Sequence, residues 1–166
     1  ELEIVEMDKE LILKLNNPFT SKTIFYNEED PAITPEKDWT PVQIDSARKA
    51  NYFSYIFEGF QIFQVAHADV SVENLYDPAQ SRLIFQCDLK NDVEQLINFE
   101  GSKTFGNGAL DPIDKTIQTE NDGIKLSFRF TEDAFALGDK RLVNFKDYYF
   151  YVIAYSQNQW KIADAR

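Results

Sequence analysis

Leu142-Val143-Asn144-Phe145-Lys146-Asp147-Tyr148-Tyr149-Phe150-Tyr151-Val152-Ile153-Ala154-Tyr155 is the stretch that decides the fold. From Tyr148 to Tyr155 it carries no charge and is built almost wholly of aromatic and β-branched residues, which suit a pleated strand. Side chains alternate along a strand, so Tyr148, Phe150, Val152 and Ala154 share one face and Tyr149, Tyr151, Ile153 and Tyr155 the other. Both rows are apolar, so both faces of this strand need cover. Residues 55–65, Tyr-Ile-Phe-Glu-Gly-Phe-Gln-Ile-Phe-Gln-Val, read the same way. There Phe60 and Ile62 point to the core, while Phe57 and Phe63 point outward.

Shorter strands flank these two. Residues 2–15 form two strands around Asp8-Lys9-Glu10, with Leu11, Leu13 and Leu15 on one face, and Asn16-Asn17-Pro18 ends the second. Residues 82–89 and 93–99 supply two more. Asn121-Asp122-Gly123 is a hairpin-type turn signal ahead of the alternating run Ile124 to Phe130. Thr131-Glu132-Asp133 is placed to cap a short helix that Gly138 ends, and Thr34-Pro35-Glu36 to open one helical turn. Trp160-Lys161-Ile162 starts a last strand. Many short strands without alternating long helices predict an all-β, antiparallel two-sheet sandwich with one or two short helices. The expected organisation is a single domain, 1–166, with insertions at about 16–52 and 69–122.

Composition narrows the function classes. The chain holds 14 Phe, 8 Tyr and 2 Trp, and a net charge of −11 that disfavours nucleic-acid backbones and anionic membranes. No run approaches the roughly 18 apolar residues of a membrane helix. Glu1-Leu2-Glu3 has neither the basic start nor the apolar core of a signal peptide, and there is no initiator Met, so the expectation is a piece of a longer protein. The single cysteine, Cys87, sits in the apolar run 83–87 and reads as a small core residue.

The segment 142–154 resembles the penultimate strand of fibronectin type III domains. Leu142, the six-residue step to Tyr148, and then Phe150, Val152 and Ala154 fall on that family's positions. The resemblance implies a tyrosine corner, in which the Tyr148 hydroxyl bonds backbone near Leu142 to Phe145. Asn144 and Lys146 depart from the family's usual Pro and Thr. Phe60-Gln61-Ile62 resembles the strand that pairs beside it, and the likeness covers 2–15, 55–65 and 124–163. A narrower likeness, in residues 57–64, 138–144, 148–150 and 154–155, is to domains of very large Bacteroidetes cell-surface proteins exported by the type IX system. It implies an extracellular or cell-surface location, outer-membrane associated through the parent protein, with neighbouring domains or a surface partner as contacts.

Catalytic signatures are absent from the sequence. His67 has no Cys or His at zinc-ligand spacing, no Gly-x-Ser-x-Gly elbow exists, and Gly106-x-Gly108 is too short for a phosphate loop. Calcium is the one cofactor the composition suggests, through the oxygen-rich stretches Asn27 to Asp30 or Asp88 to Asp92. The reading is therefore a non-catalytic structural or interaction module, with no catalytic residues and no cofactor site assigned. The alternative is a module that binds carbohydrate or protein through Phe57, Phe63, Tyr149, Tyr151, Ile153 and Tyr155. So large a bare face exceeds what monomers expose, and the insertion 16–52, with Phe25, Tyr26 and Trp39, is expected to cover it.

Overall fold

The computed structural model describes residues 1–16, 26–29, 35, 37–91, 93, 95–96, 99–101, 110–112, 117–118 and 120–158. Two antiparallel sheets face each other. The first has three strands in the order β1 (Leu2–Met7), β2 (Glu10–Leu15) and β10 (Ser127–Phe130). The second is organised around β4 (Ser54–Val65). Strand β11 (Tyr149–Gln157) pairs with one edge of β4, while β5 (Ser81–Asp88) and the short β3 (Asn27–Glu29) pair with it as well. Two further two-stranded ladders join β6 (Gln95–Leu96) to β9 (Ile117–Gln118), and β7 (Phe99–Gly101) to β8 (Leu110–Pro112). The predicted strand at 93–99 is therefore two shorter ones, and the segment from Trp160 lies outside the described residues.

The core between the sheets follows the alternation of its strands. Leu13 and Leu15 of β2, Phe128 and Phe130 of β10, Phe60 and Ile62 of β4, and Cys87 of β5 form it, with Phe150 and Val152 packed against it. Cys87 is buried, and burial pushes its thiol up, out of the range of a reactive thiolate. Phe57 is a correction: it lies in this core, its ring 5.0 Å from that of Phe60. The cause is a bulge. Tyr155 pairs with Gly59 but Ser156 with Phe57, so Glu58 is an extra residue and the strand changes face there. Ala154 is a second correction, since it is exposed; β11 is an edge strand among the described residues.

Local expectations of helix were displaced. Residues 131–138 form no helix, because Glu132 bridges to Arg141 and the Asp133 N–H donates to the Lys140 carbonyl at 2.7 Å. A helix forms instead at α1 (Pro41–Lys49), inside the stretch expected to be irregular. Thr40 caps it: the Thr40 N–H donates to Gln43 Oε1 at 2.8 Å, the Gln43 N–H donates back to Thr40 Oγ1, and Pro41 takes the first turn. Thr34 and Glu36 lie outside the described residues. Asn121 and Gly123 adopt positive φ, 53° and 89°, but the turn leads into a single strand rather than a hairpin.

Tyr148 is half-buried, edge-on to Phe130 at 6.2 Å, and its Oη accepts the Val143 N–H at 2.8 Å. Gly59 is required for a different reason. A Cβ there would collide with the Cys87 carbonyl and come within 2.7 Å of Tyr155 Oη. Two measurements by urea denaturation follow. Tyr148→Phe is expected to lose about 1 kcal/mol, because the Val143 N–H it strands sits on an exposed loop and can turn to water. Gly59→Ala is expected to lose at least about 2–3 kcal/mol, since the clash is with backbone and not with a mobile side-chain tip.

Candidate functional site

The outer face of the β11–β4–β5 sheet holds every residue of the expected interaction face except Phe57. It divides into an apolar half and an acidic half. In the apolar half Phe63 and Val65 are buried, and Tyr151 and Ile153 pack beside them. Their cover is the β4–β5 connection, residues 66–80, which lays Val70 and Leu75 on the sheet. Tyr151 Oη donates to the Val70 carbonyl at 2.9 Å, and the Tyr76 ring stands edge-on to Phe63 at 5.7 Å. Of the residues expected on this face Tyr149 is the one left open, at 36% exposure, and Leu83, opposite Phe63 on β5, is open at 48%. The face is thus not a bare aromatic platform. The described part of the insertion expected to cover this face attaches elsewhere. Trp39 lies against Phe53, the Tyr26 carbonyl accepts the Phe57 N–H at 3.2 Å, and β3 and α1 thus attach at the start of β4. Phe25 lies outside the described residues.

The acidic half is closed by polar loops. Glu58, displaced by the bulge, and Asp88, the cross-strand partner of Gly59, are both 0% exposed. Glu58 Oε2 accepts from Asn91 Nδ2 at 2.8 Å and from Gln157 Nε2 at 2.7 Å. Asp88 Oδ2 accepts the Glu120 N–H at 2.7 Å. Glu58 Oε1, Asp88 Oδ1 and Tyr155 Oη are buried without a hydrogen-bond partner. Burial raises the Glu58 carboxyl above its usual range; the Asn91 bond opposes this and the Asp88 charge adds to it. Tyr155 is 9% exposed, and its phenol is pushed far up by burial and by the charges of Asp88 and Glu58. Gly59 ties the three groups together: Glu58 precedes it in the chain, Asp88 pairs with it across the sheet, and Tyr155 Oη lies over it.

A second polar cluster sits at the far end of β4. Asp133 is buried, accepting from Lys146 Nζ at 2.6 Å, from Gln64 Nε2 at 2.7 Å and from the Phe135 N–H at 2.9 Å. Burial alone would raise its carboxyl, but these bonds outweigh it and hold the group below the usual carboxylate range. Gln64 Oε1 also accepts the Ala134 N–H, so the network fixes the loop after β10 onto β4.

Other sequence candidates are resolved by their partners. His67 is exposed, its Nδ1 in a surface hydrogen bond with Asp69 Oδ1 at 2.5 Å. Of the first oxygen-rich stretch, Asn27 to Glu29 is strand β3, Asn27 donates to Asn51, and Glu29 pairs with Arg48 at 3.3 Å; Asp30 lies outside the described residues. Of the second, Asp88 and Asn91 meet in the acidic pocket, and Asp92 lies outside. Among the described residues no three His, Cys, Asp or Glu side chains converge as metal ligands, and no helix is long and apolar enough to cross a membrane. Glu58 was not legible as a site residue, because it stands in an apolar run and alternation sends it nowhere useful. Comparison with protein-family models, curated proteins and solved structures finds no match.

The Asp133 network has a pH consequence. A carboxyl held below its unfolded value stabilises the fold fully above about pH 3.9, and that stabilisation is lost as pH falls through the folded value. Lys146→Met is expected to lose about 1–2 kcal/mol at pH 7. Urea denaturation at pH 7 and pH 3 checks it: the difference from the parent should shrink at pH 3.

Proposed function

We propose that this chain is a non-catalytic structural or interaction module of the fibronectin type III kind, belonging to a larger secreted or cell-surface protein. The observation that carries the reading is the Tyr148 corner on the strand that pairs beside β4. Tyr148 Oη ties the loop before β11 back to Val143, opposite a sheet of β1, β2 and β10. The strand order, three strands against a second sheet centred on β4, supports the same assignment.

Work by contact rather than chemistry suits the rest of the molecule. Leu137 and Phe145 are fully exposed, and Val143 largely so, all on the segment between β10 and β11. Exposed apolar side chains on one connection are what a neighbouring domain or surface partner would cover. The closed aromatic face weighs against the carbohydrate-binding alternative, since stacking on a sugar needs open rings. The likeness to type IX cargo extends the reading to the cell surface.

The test is a panel of glycosidase, esterase and protease substrates, run with a glycan array on the same preparation. No turnover and no glycan retained is the expected result. Turnover abolished by a single Asp, Glu or Ser substitution would overturn the non-catalytic reading. A glycan hit lost on Tyr149→Ala would restore the alternative.

A further inference from the structure

The acidic pocket at the bulge holds two carboxylates with no cation beside either among the described residues. Both belong to residues with no solvent exposure. Buried charge is normally paired, coordinated or neutralised. Here the hydrogen bonds that exist come from neutral donors: two side-chain amides on Glu58 and one backbone N–H on Asp88. These leave one oxygen of each carboxylate, and the Tyr155 hydroxyl, without a partner. Tyr155 Oη is directly over Gly59, which stands next to Glu58 in sequence and across from Asp88 in the sheet. Three buried, unpartnered oxygens thus belong to residues grouped around Gly59.

We propose that Glu58 and Asp88, roofed by Tyr155, form a binding site for one divalent cation, calcium by the character of its ligands. Two carboxylates supply the two negative charges that a doubly positive ion neutralises. The groups of Glu58, Asp88 and Tyr155 are hard oxygens, and the neighbouring Cys87 thiol turns into the core, where it donates to the Lys125 carbonyl, which fits calcium rather than a softer metal. Neutral ligands are at hand. Gln157 and Asn91 already touch Glu58, and half a turn of either side-chain amide presents its oxygen in place of its NH2. With both oxygens of Glu58, these bring the set towards the six that calcium accepts. The site lies one layer below the exposed residues Asn91 and Glu120, so an ion has a short way in. Its effect is mechanical: it clamps the bulge of β4, the end of β5 and the end of β11 together.

The inference is independent of the non-catalytic reading and is tested without any activity assay. The full chain is melted in EDTA and in calcium chloride at pH 7.5, and titrated with terbium chloride under excitation of tyrosine. Calcium at a hundredfold excess over its dissociation constant is expected to raise Tm by roughly 5–10 °C. Terbium emission, sensitised by Tyr155, should rise to one equivalent and then plateau. Glu58→Gln and Asp88→Asn should each abolish the shift and the emission, while Tyr155→Phe should lose most of the emission. An unchanged wild-type Tm between EDTA and calcium overturns the proposal even if a variant does not fold. So does a calcium shift that survives both carboxylate substitutions, which would put the ion elsewhere on the acidic surface. A Glu58→Gln chain more stable than the parent in both buffers would also overturn it, since losing a calcium ligand must cost stability in calcium.

Discussion

Strand β4 is covered on both faces and paired on both edges, and the rest of the structure is arranged to make that possible. Nine consecutive residues, Phe57 to Val65, are buried. Burying backbone for that length requires every N–H and C=O to find a partner, and β11 on one side with β3 and β5 on the other supply the ladders. The inner face is filled from the opposite sheet by Leu13, Phe128 and Phe130. The outer face cannot use a third sheet, so connections cover it. Gln61 and Gln86 hydrogen-bond across the middle of that face at 2.8 Å, dividing its apolar half from its acidic half.

The apolar half is covered by residues 66–80 for a reason of chain geometry. That segment joins the end of β4 to the start of β5, which are neighbours in the sheet, so its two ends are already held together over Phe63 and Val65. Closing a short loop whose ends are fixed costs little entropy. The Ala66 N–H donates to the Gln80 carbonyl at 2.9 Å, Ser71 caps a single turn at Val72–Asn74, and Asp77 accepts from Ala79 and Gln80. The stretch 16–52 has aromatic residues of the right kind, but the part of it that is described attaches at the start of β4. Composition identified the need for a cover. Which segment provides it depends on where strand ends lie, and that is a property of topology.

The same distinction separates what the amino-acid sequence made legible from what it did not. Period-two alternation placed Phe60, Ile62, Phe63, Phe150 and Val152 on their proper faces, because alternation is local and holds wherever the strand is regular. It failed at Phe57, where one inserted residue reverses the pattern for everything before it. Helix α1 carried a readable signal, Thr40-Pro41 followed by Gln43, but a stretch rich in Pro and acid hid it. The opposite error came at Thr131-Glu132-Asp133. Within that signal the Asp133 carboxylate binds Lys146 and Gln64 instead, and a tertiary network overrides the local preference. The acidic pocket was half legible: Asp88 and Asn91 stood in a stretch marked for its oxygens, whereas Glu58 reaches them only through the bulge.

A bulge that buries a glutamate is a local conflict in a sequence that otherwise agrees with its fold. A regular β4 would keep Phe57 outside with Phe63 and leave Glu58 on the core side, where no donor waits for it. The inserted residue exchanges those two: Phe57 joins Phe60 in the core, and Glu58 meets the amides of Asn91 and Gln157. The packing gain from one phenylalanine explains why the bulge is tolerated. It does not explain why the residue turned outward is an acid, since a glutamine of the same length would accept from the same donors without a buried charge. Nor does it explain Asp88, brought beside it by β5. Two acids fill a space that neutral residues would fill more stably, and departures of this kind concentrate at functional positions. A point at which the fold gives up some of its own stability is therefore a point at which the molecule gains from a bound partner.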